Sequence, residues 1–228
     1  IYLPLGQRVM EKIHNIIREE MNAIGAQEIT MPVMHPAEIW RETGRYDSVG
    51  EEMFRLKDRG GRDMVLGMTH EEIVTWLAAR EIRSYKELPQ VWYQMQTKLR
   101  DEARPKSGIL RTREFIMKDS YSFDADDEAL NMTYTLHVQA YNRIFRRCGI
   151  RVHLVESDPG MMGGGQSHEF VVLAEGGENT VALCASGDYA ANLENARAAA
   201  PRLIPRAGER AGIVAEVATP HMKTIEDV

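Results

Sequence analysis

Two long segments of the chain place apolar residues three or four positions apart, which is the spacing of one face of an α-helix. The first covers residues 5–23, and Gly25, a residue type that often ends helices, follows it. The second covers residues 124–147, begins with acidic and ends with basic side chains, as a helix dipole favours, and precedes Gly149. In the second helix the predicted inward-facing residues are Leu130, Tyr134, Val138, Tyr141, Ile144 and Phe145.

Shorter apolar segments, separated by turn residues, predict β-strands between these helices. Residues 27–33 predict one strand, and Pro32 within it favours an edge position because proline cannot donate to a strand ladder. Residues 53–56 and 64–66 predict a β-hairpin that turns at residues 58–61.

The second half of the chain continues with short strands. Residues 151–156 predict one strand, and residues 171–174 and 180–184 predict an antiparallel continuation of the sheet. Residues 188–192 predict the start of a further helix. Because the helices lie between hairpins and do not alternate strictly with strands, the pattern favours an α+β fold with an antiparallel sheet flanked by helices.

Residues 91–123 predict two strands joined by a basic loop, and they carry the first candidate chemistry. Residues two apart on a strand share a face, so Arg100 and Glu102 are expected on one side of the first strand. Arg111 lies in the loop and Phe115 on the return strand. An aromatic ring can stack a base, arginines bind phosphate oxygens, and a carboxylate accepts from an exocyclic amine. The hairpin therefore suits a nucleotide, although a solvated, charged hairpin is the simpler alternative.

The composition excludes several classes of protein. A net charge of −6 excludes a general basic nucleic-acid binder, because such a protein needs positive charge to bind phosphates, and no DNA partner is expected. Cys148 and Cys184 lie far apart and outside any CxxC pair, so we expect reduced thiols and no zinc site. No apolar run approaches the ~20 residues that cross a bilayer, and no signal peptide is visible, so no membrane partner and a cytoplasmic location are expected. The chain starts at Ile1 and not at Met, which suggests a fragment.

A second candidate feature is the start of the helix predicted from Thr69 to about Ile82, with Trp76 facing inward. Thr69 with Glu72 three positions later fits a capping box, which needs no function. A cap does not account for Glu71, a carboxylate that stays ionised at the positive end of a helix.

A third feature is the glycine-rich segment at residues 158–170. It contains no GKT or GKS, which excludes a P-loop. The segment ends in Ser167, His168 and Glu169. Neighbours on a strand point to opposite faces, so His168 and Glu169 are poorly placed for a shared metal or a hydrolase site.

The hairpin resembles the second signature motif of class II aminoacyl-tRNA synthetases, which reads Arg-x-Glu, a loop, then Arg-x-x-x-Phe. The matching residues are Arg100, Glu102, Arg111 and Phe115. The surrounding segments RDE, REF and MKDSYSF are similar to those of bacterial-type prolyl-tRNA synthetases. The resemblance covers almost the whole chain, and MPV and PAEIW resemble the first class II motif, which implies a homodimer.

The resemblance implies a role for each residue of the hairpin motif. Arg100 would bridge the ATP α-phosphate and the carboxylate of the amino acid. Glu102 would accept a hydrogen bond from the adenine amino group, and Arg111 would reach the γ-phosphate. Phe115 would stack on adenine. Mg²⁺ is expected with the triphosphate, without identified ligands.

The resemblance also implies an amino-acid pocket. Thr69 and Glu71 match the Thr-x-Glu motif that holds the imino group of proline in this family. His168 and Glu169 stand in a segment like the family's GGSGSHEF, which helps to shape the pocket, although Gly165-Gln166 replaces the usual Ser-Gly. The implied partners are proline, ATP and tRNA(Pro).

The resemblance implies a proline–tRNA ligase of which this chain is an incomplete catalytic core. Residues 1–200 would hold the first and second motifs, and residues 201–228 a linker and the start of an inserted, editing-type domain. The third motif and an anticodon-binding domain are missing, so the chain alone is expected to be weakly active or inactive. The alternatives are a non-catalytic ATP-binding, tRNA-binding or dimerisation module, or a threonyl- or seryl-type enzyme.

Overall fold

The structure, a computed structural model, describes residues 1–158 and 167–197. The glycine-rich residues 159–166 and the predicted linker at residues 201–228 lie outside this part. The described residues form five α-helices: α1 (Pro4–Ala23), α2 (Ala37–Glu42), α3 (Arg45–Ser48), α4 (Glu71–Glu81) and α5 (Asp127–Arg147). They also form ten strands: β1 (Gln27–Glu28), β2 (Met34–Pro36), β3 (Arg55–Lys57), β4 (Asp63–Leu66), β5 (Gln90–Leu99), β6 (Glu114–Phe123), β7 (His153–Glu156), β8 (His168–Val171), β9 (Val181–Leu183) and β10 (Ala190–Asn192). Single turns of 3-10 helix occur at Gly50–Glu52 and Tyr85–Glu87.

A long antiparallel ribbon, β5 with β6, is the central element. The two strands pair in register from Gln90 opposite Phe123 to Leu99 opposite Glu114. β1 joins β5 at one edge in parallel, and two further sheets have the orders β2-β4-β3 and β8-β7-β10-β9. The predicted hairpins at β3–β4 and β5–β6 are confirmed, and so is the mixed fold of antiparallel sheets and helices.

The two long helices cover one face of the ribbon. Tyr93 of β5 is fully buried there, beside Met21 of α1 and Tyr141 of α5. Glu20 of α1 pairs with Arg143 and Arg147 of α5, which ties the two helices together. The apolar stripes therefore pack largely as predicted.

Local sequence explains where these helices begin and end. Asp126 caps α5 by accepting a hydrogen bond from the Ala129 amide at 2.8 Å. Gly25 and Gly149 follow α1 and α5 with φ of 83° and 76°, conformations that favour glycine, so both predicted helix ends are confirmed. In α5, however, Leu130 and Tyr134 are 46% and 38% exposed, so the inward stripe is shorter than predicted.

The predicted strand at residues 27–33 pairs only at Gln27–Glu28, in the predicted edge position. Beyond that point, glutamine side chains of β5 satisfy the backbone in place of a ladder. The Met31 amide donates to Gln94 at 3.0 Å, and the Met31 carbonyl accepts from Gln96 at 2.7 Å. Long polar side chains thus replace strand pairing, which a propensity argument does not detect.

Residues 188–192 do not start a helix, and that prediction is wrong. A turn in which Gly187 has a φ of 79° and the Cys184 amide donates to Tyr189 leads instead into strand β10. β10 pairs antiparallel with β9 and parallel with β7. Residues 171–174 and 180–184 were expected to be neighbouring strands, but β8 pairs with β7. Strand pairing overrides the local helical preference of the alanines.

Two buried histidines lie beside the end of the ribbon. The Trp40 indole donates to His35 Nδ1 at 3.2 Å, so the His35 proton is on Nε2, which donates to the Pro32 carbonyl at 2.8 Å. His70 Nε2 donates to the same carbonyl at 2.9 Å. The two rings meet edge to face at 4.6 Å, above Gly67.

Replacement of Gly67 by alanine should destabilise the fold. A Cβ there would lie 2.9 Å from His35 Cε1 and 3.0 Å from His70 Cε1, and both rings are held by hydrogen bonds. Overpacking of this kind costs about 1–3 kcal/mol. Urea denaturation measures it, with Gly176→Ala as the control because a Cβ at Gly176 has nothing within 4 Å. Equal stabilities of the two variants would contradict the packing described here.

A second prediction concerns the pH dependence of stability. Burial is the main cause that lowers the pKa of His35 from 6.5 to about 4. The unfolded chain takes up this proton below pH 6.5, whereas the folded protein does so only near pH 4. The stabilising contribution is therefore complete above pH 6.5 and is lost as the pH falls toward 4, by at most about 3 kcal/mol.

The direct measurement is an NMR titration of the His35 imidazole, paired with unfolding free energies at several pH values. The imidazole should remain neutral at pH 5. A titration midpoint near 6.5 would show that His35 is not buried as described.

Candidate functional site

The loop that joins β5 to β6 begins earlier than expected. β5 ends at Leu99, so Arg100 and Glu102 lie in the loop, and the prediction that they share one face of a strand is wrong. Loop hydrogen bonds hold them in place of strand geometry. The Arg100 amide donates to the Arg113 carbonyl at 2.9 Å, and the Glu102 amide to the Arg100 carbonyl at 2.8 Å.

Arg100 and Phe115 lie on the same side of the ribbon. Phe115 pairs with Lys98, so their side chains share a face, which is opposite to the face covered by α1 and α5. The Arg100 guanidinium carbon lies 5.5 Å from the centre of the Phe115 ring. Arg100 Nε also donates to the Met68 carbonyl at 3.3 Å. One guanidinium therefore spans the space from the aromatic ring to the residue before Thr69.

The turn at Thr69–Glu71 is attached to the ribbon. The Leu99 amide donates to the Gly67 carbonyl at 3.0 Å, just before the turn, and the His70 amide donates to the Tyr121 hydroxyl of β6 at 3.2 Å. Within the turn, the Thr69 hydroxyl donates to the Glu71 carboxylate. These contacts bring the two predicted sites together.

The predicted capping box is absent, although the helix itself is confirmed. α4 begins at Glu71, and its N-cap residue makes no side-chain capping hydrogen bond. Glu72 is buried and accepts instead from Arg45 at 2.8 Å, while burial raises the pKa of Glu72. Trp76, expected to face inward, is 40% exposed, and the Arg80 guanidinium lies 3.8 Å from its ring centre.

A buried polar network lies beneath the turn, and the sequence analysis did not identify it. Lys98 is fully buried, with Nζ 2.9 Å from Asp119 Oδ1 and 2.6 Å from His70 Nδ1. Asp119 Oδ2 accepts from Gln94 at 2.9 Å and from the Tyr121 hydroxyl at 2.5 Å. A signal was present in β5, where Gln94, Gln96 and Lys98 alternate on the face nearest the predicted site.

Electrostatics keep this network in one protonation state. Burial lowers the pKa of Lys98, and the carboxylate of Asp119 opposes that effect. Burial and the Lys98 charge lower the pKa of His70, so its ring stays neutral and accepts from Lys98. Burial, first of all, raises the pKa of Tyr121. The His70 ring therefore accepts from Lys98, and the Tyr121 hydroxyl donates to Asp119.

The tip of the loop brings Glu102 and Arg111 near one another. Glu102 Oε1 accepts from the Arg104 amide at 3.0 Å, and its Oε2 lies 3.7 Å from Arg111 Nε. Arg111 and Lys106 also face Glu178, at 3.7 Å and 2.8 Å respectively. Apart from Glu102, these side chains are about half exposed, so the pairs are weak and can exchange for a charged ligand.

His168 and Glu169 lie apart from the turn. They alternate along β8 as predicted: His168 Nδ1 is 2.7 Å from the Tyr134 hydroxyl of α5, whereas Glu169 accepts from Asn192 at 3.2 Å. Glu169 borders a cavity of about 470 Å³ that Glu178 also lines. The structure thus brings six of the eight predicted residues to one end of the ribbon and leaves these two beside it.

Residues 1–158 and 167–197 contain no cluster of three or more His, Cys, Asp or Glu side chains that could hold a metal ion. Within the same part of the chain, no helix is both long and apolar enough to cross a membrane.

Comparison with known proteins identifies the family. The family model described as "tRNA synthetase class II core domain (G, H, P, S and T)" matches residues 54–203. Among curated relatives, the proline–tRNA ligase of Thermodesulfovibrio yellowstonii is 59% identical over 228 residues, which are 100% of this chain and 39% of that protein. The proline–tRNA ligase of Moorella thermoacetica is 53% identical over 227 residues, again 100% of this chain and 39% of the relative.

A solved structure supports the fold. Giardia lamblia prolyl-tRNA synthetase in complex with prolyl-adenylate superposes with a TM-score of 0.64 at 20% identity, over 68% of this chain and 33% of that chain. The present chain spans about two fifths of the length of the curated relatives it matches. On the family match to most of its residues, the chain belongs to the class II tRNA synthetase core domain family.

Proposed function

We propose that this chain is the part of a proline–tRNA ligase that binds ATP and proline and forms prolyl-adenylate, from which proline passes to tRNA(Pro). The observation that carries the proposal is the position of Arg100, between the Phe115 ring and the carbonyl of Met68, next to Thr69. The names of the relatives, proline–tRNA ligases at 59% and 53% identity, favour proline over threonine or serine.

In the activation step a carboxylate oxygen of proline attacks the α-phosphorus of ATP, and the bond to pyrophosphate breaks. No proton has to move. The obstacle is repulsion between two anions, so the enzyme must position and neutralise them. The guanidinium of Arg100 has donors enough to bind the carboxylate and the α-phosphate together. Its neighbours on either side are the turn proposed for proline and the ring proposed for adenine.

The turn suits the secondary ammonium group of proline, which has two N–H donors. The Thr69 hydroxyl donates its proton to Glu71 and keeps lone pairs that can accept one N–H. The Glu71 carboxylate can accept the other and balance the positive charge. Glu71 is the first residue of α4 and lies at the positive end of the helix dipole.

The nucleotide roles follow from the loop. We assign adenine stacking to Phe115, the adenine amino group to Glu102 and the γ-phosphate to Arg111. The long pairs that Arg111 makes with Glu102 and Glu178 can give way to a triphosphate, because they are exposed and weak. Mg²⁺ would be carried mainly by phosphate oxygens, as is usual for this ion, and no side chain is assigned to it.

His168 and Glu169 remain proposed residues of the amino-acid pocket. Support for Glu169 comes from the cavity it shares with Glu178, which pairs with the nucleotide loop. His168 contacts Tyr134, so its contribution would be to position β8. A homodimer, a cytoplasmic location and a domain boundary near residue 200 complete the proposal. The family match, which ends at residue 203, supports that boundary.

Replacement of Arg100 by alanine should abolish proline-dependent ATP–pyrophosphate exchange in the naturally encoded protein. The variant leaves two anions without their shared cation, a loss of about 10³-fold or more. The control is Arg62→Ala on the β3–β4 hairpin, because Arg62 pairs with Asp58 and has no assigned ligand. Exchange that survives Arg100→Ala within a few-fold, or falls equally in both variants, would refute the bridging role.

Replacement of Glu71 by glutamine should weaken the binding of proline but not that of ATP. Removal of the charge that faces the ammonium group should lower kcat/KM for proline by about 100-fold while the KM for ATP changes little. Glu81→Gln, at the other end of α4, is the matched control. If ATP and proline are affected alike, Glu71 does not bind the amino group.

A further inference from the structure

The proposed proline-binding turn can work only if its backbone is held still. Thr69 and Glu71 are separated by His70, and the His70 amide donates to the Tyr121 hydroxyl at 3.2 Å. This hydrogen bond joins the middle of the turn directly to strand β6. A shift of the turn would move both proline ligands relative to Arg100.

The Tyr121 hydroxyl is oriented so that it can accept the amide. Its own proton goes to Asp119 Oδ2 at 2.5 Å, which turns its lone pairs toward His70. Asp119 is in turn fixed by Lys98 and by Gln94. The pKa of Tyr121 is raised, chiefly by burial, so the hydroxyl remains protonated.

The same network also holds the His70 ring. Lys98 donates to Nδ1 at 2.6 Å, and Nε2 donates to Pro32 at 2.9 Å. Asp119 thus lies two hydrogen bonds from His70 by two separate routes, through Tyr121 to the amide and through Lys98 to the ring. The residue between the two proposed proline ligands is restrained in both backbone and side chain.

We propose that Tyr121, oriented by Asp119 and Lys98, is a positioning residue that holds the Thr69–Glu71 turn in register with Arg100 and so sets the affinity for proline. Tyr121 touches neither substrate in this scheme. The inference rests on the proposed function, since it concerns the same amino-acid site.

The alternative is that Tyr121 only fills space. Its ring packs against the apolar cluster of Met31, Ile73 and Val74, and that packing accounts for an aromatic residue. Packing does not account for the hydroxyl, which contacts the His70 amide and Asp119. Tyr121→Phe separates the two readings because it keeps the ring and removes the oxygen.

The test compares Tyr121→Phe with Tyr141→Phe in the naturally encoded protein. Tyr141 is the matched control because it lies on the opposite face of the ribbon, where its hydroxyl accepts from Lys118. Proline-dependent ATP–pyrophosphate exchange gives separate KM values for the two substrates. For Tyr121→Phe we expect the KM for proline to rise about tenfold, with the KM for ATP and kcat within about threefold. Tyr141→Phe should leave all three within about twofold.

Hydrogen exchange provides a readout that does not depend on activity. The His70 amide should exchange faster in Tyr121→Phe than in wild type or in Tyr141→Phe, because its acceptor is gone. Should Tyr121→Phe not fold, 3-fluorotyrosine at position 121 keeps the hydroxyl but weakens it as an acceptor. It should raise the KM for proline by about two- to threefold.

The outcomes are distinct. A wild-type protein without proline-dependent exchange would overturn the proposed function and this inference with it. Normal wild-type exchange with an unchanged KM for proline in the position-121 variants would overturn the inference alone. A similar rise in both KM values, or a similar effect of Tyr141→Phe, would also overturn it, since either points to a general loss of structure.

Discussion

The arrangement of this molecule depends on a buried ion pair between neighbouring strands. Lys98 and Asp119 face the same side of the central ribbon, both almost without solvent contact. Two isolated charges could not remain there, because desolvation costs several kcal/mol for each ion. They persist because each charge offsets the other and because Gln94, Tyr121 and the neutral ring of His70 form hydrogen bonds to the pair.

Such a pair contributes more to the precise placement of neighbouring groups than to the stability of the fold. Apolar side chains of the same volume often stabilise a fold as well or better, whereas removal of one partner costs about 3–5 kcal/mol. An apolar pair, however, makes no directional hydrogen bonds and so cannot orient its neighbours. Here the charges orient Tyr121 and Lys98, and through them both the backbone and the ring of His70. The polar network thus connects strand register to the position of the Thr69–Glu71 turn, which leads into another element, α4.

The sequence predicted most of the fold and residues that the structure brings together at one end of the ribbon, but not the contacts that hold them there. Periodicity located α1, α5 and the ribbon because these are long elements with repeated apolar faces. The helix predicted at residues 188–192 is wrong because pairing with β7 and β9 decides the structure there. The capping box predicted with Glu72 is wrong because Glu72 pairs with Arg45, which is remote in sequence. Arg100 and Phe115 could be identified from their motif. The roles of Lys98 and Tyr121, in contrast, become evident only from their contacts with His70. Contacts of that kind depend on the tertiary packing of α4 on the ribbon and leave little trace in local sequence.

The two faces of the ribbon have different roles. On one face, Tyr93 and Tyr141 pack against long helices and supply apolar burial, the main source of stability. On the other face, polar residues are buried at some cost and hold the Thr69–Glu71 turn beside Arg100. The strands are shared, so register errors are costly to both faces: a slip of one residue would move Lys98 under the helices and Tyr93 under the turn. The stability of the helical face therefore enforces the geometry of the polar one, so the exposed loop at the end of the ribbon can make weak ion pairs without endangering the fold.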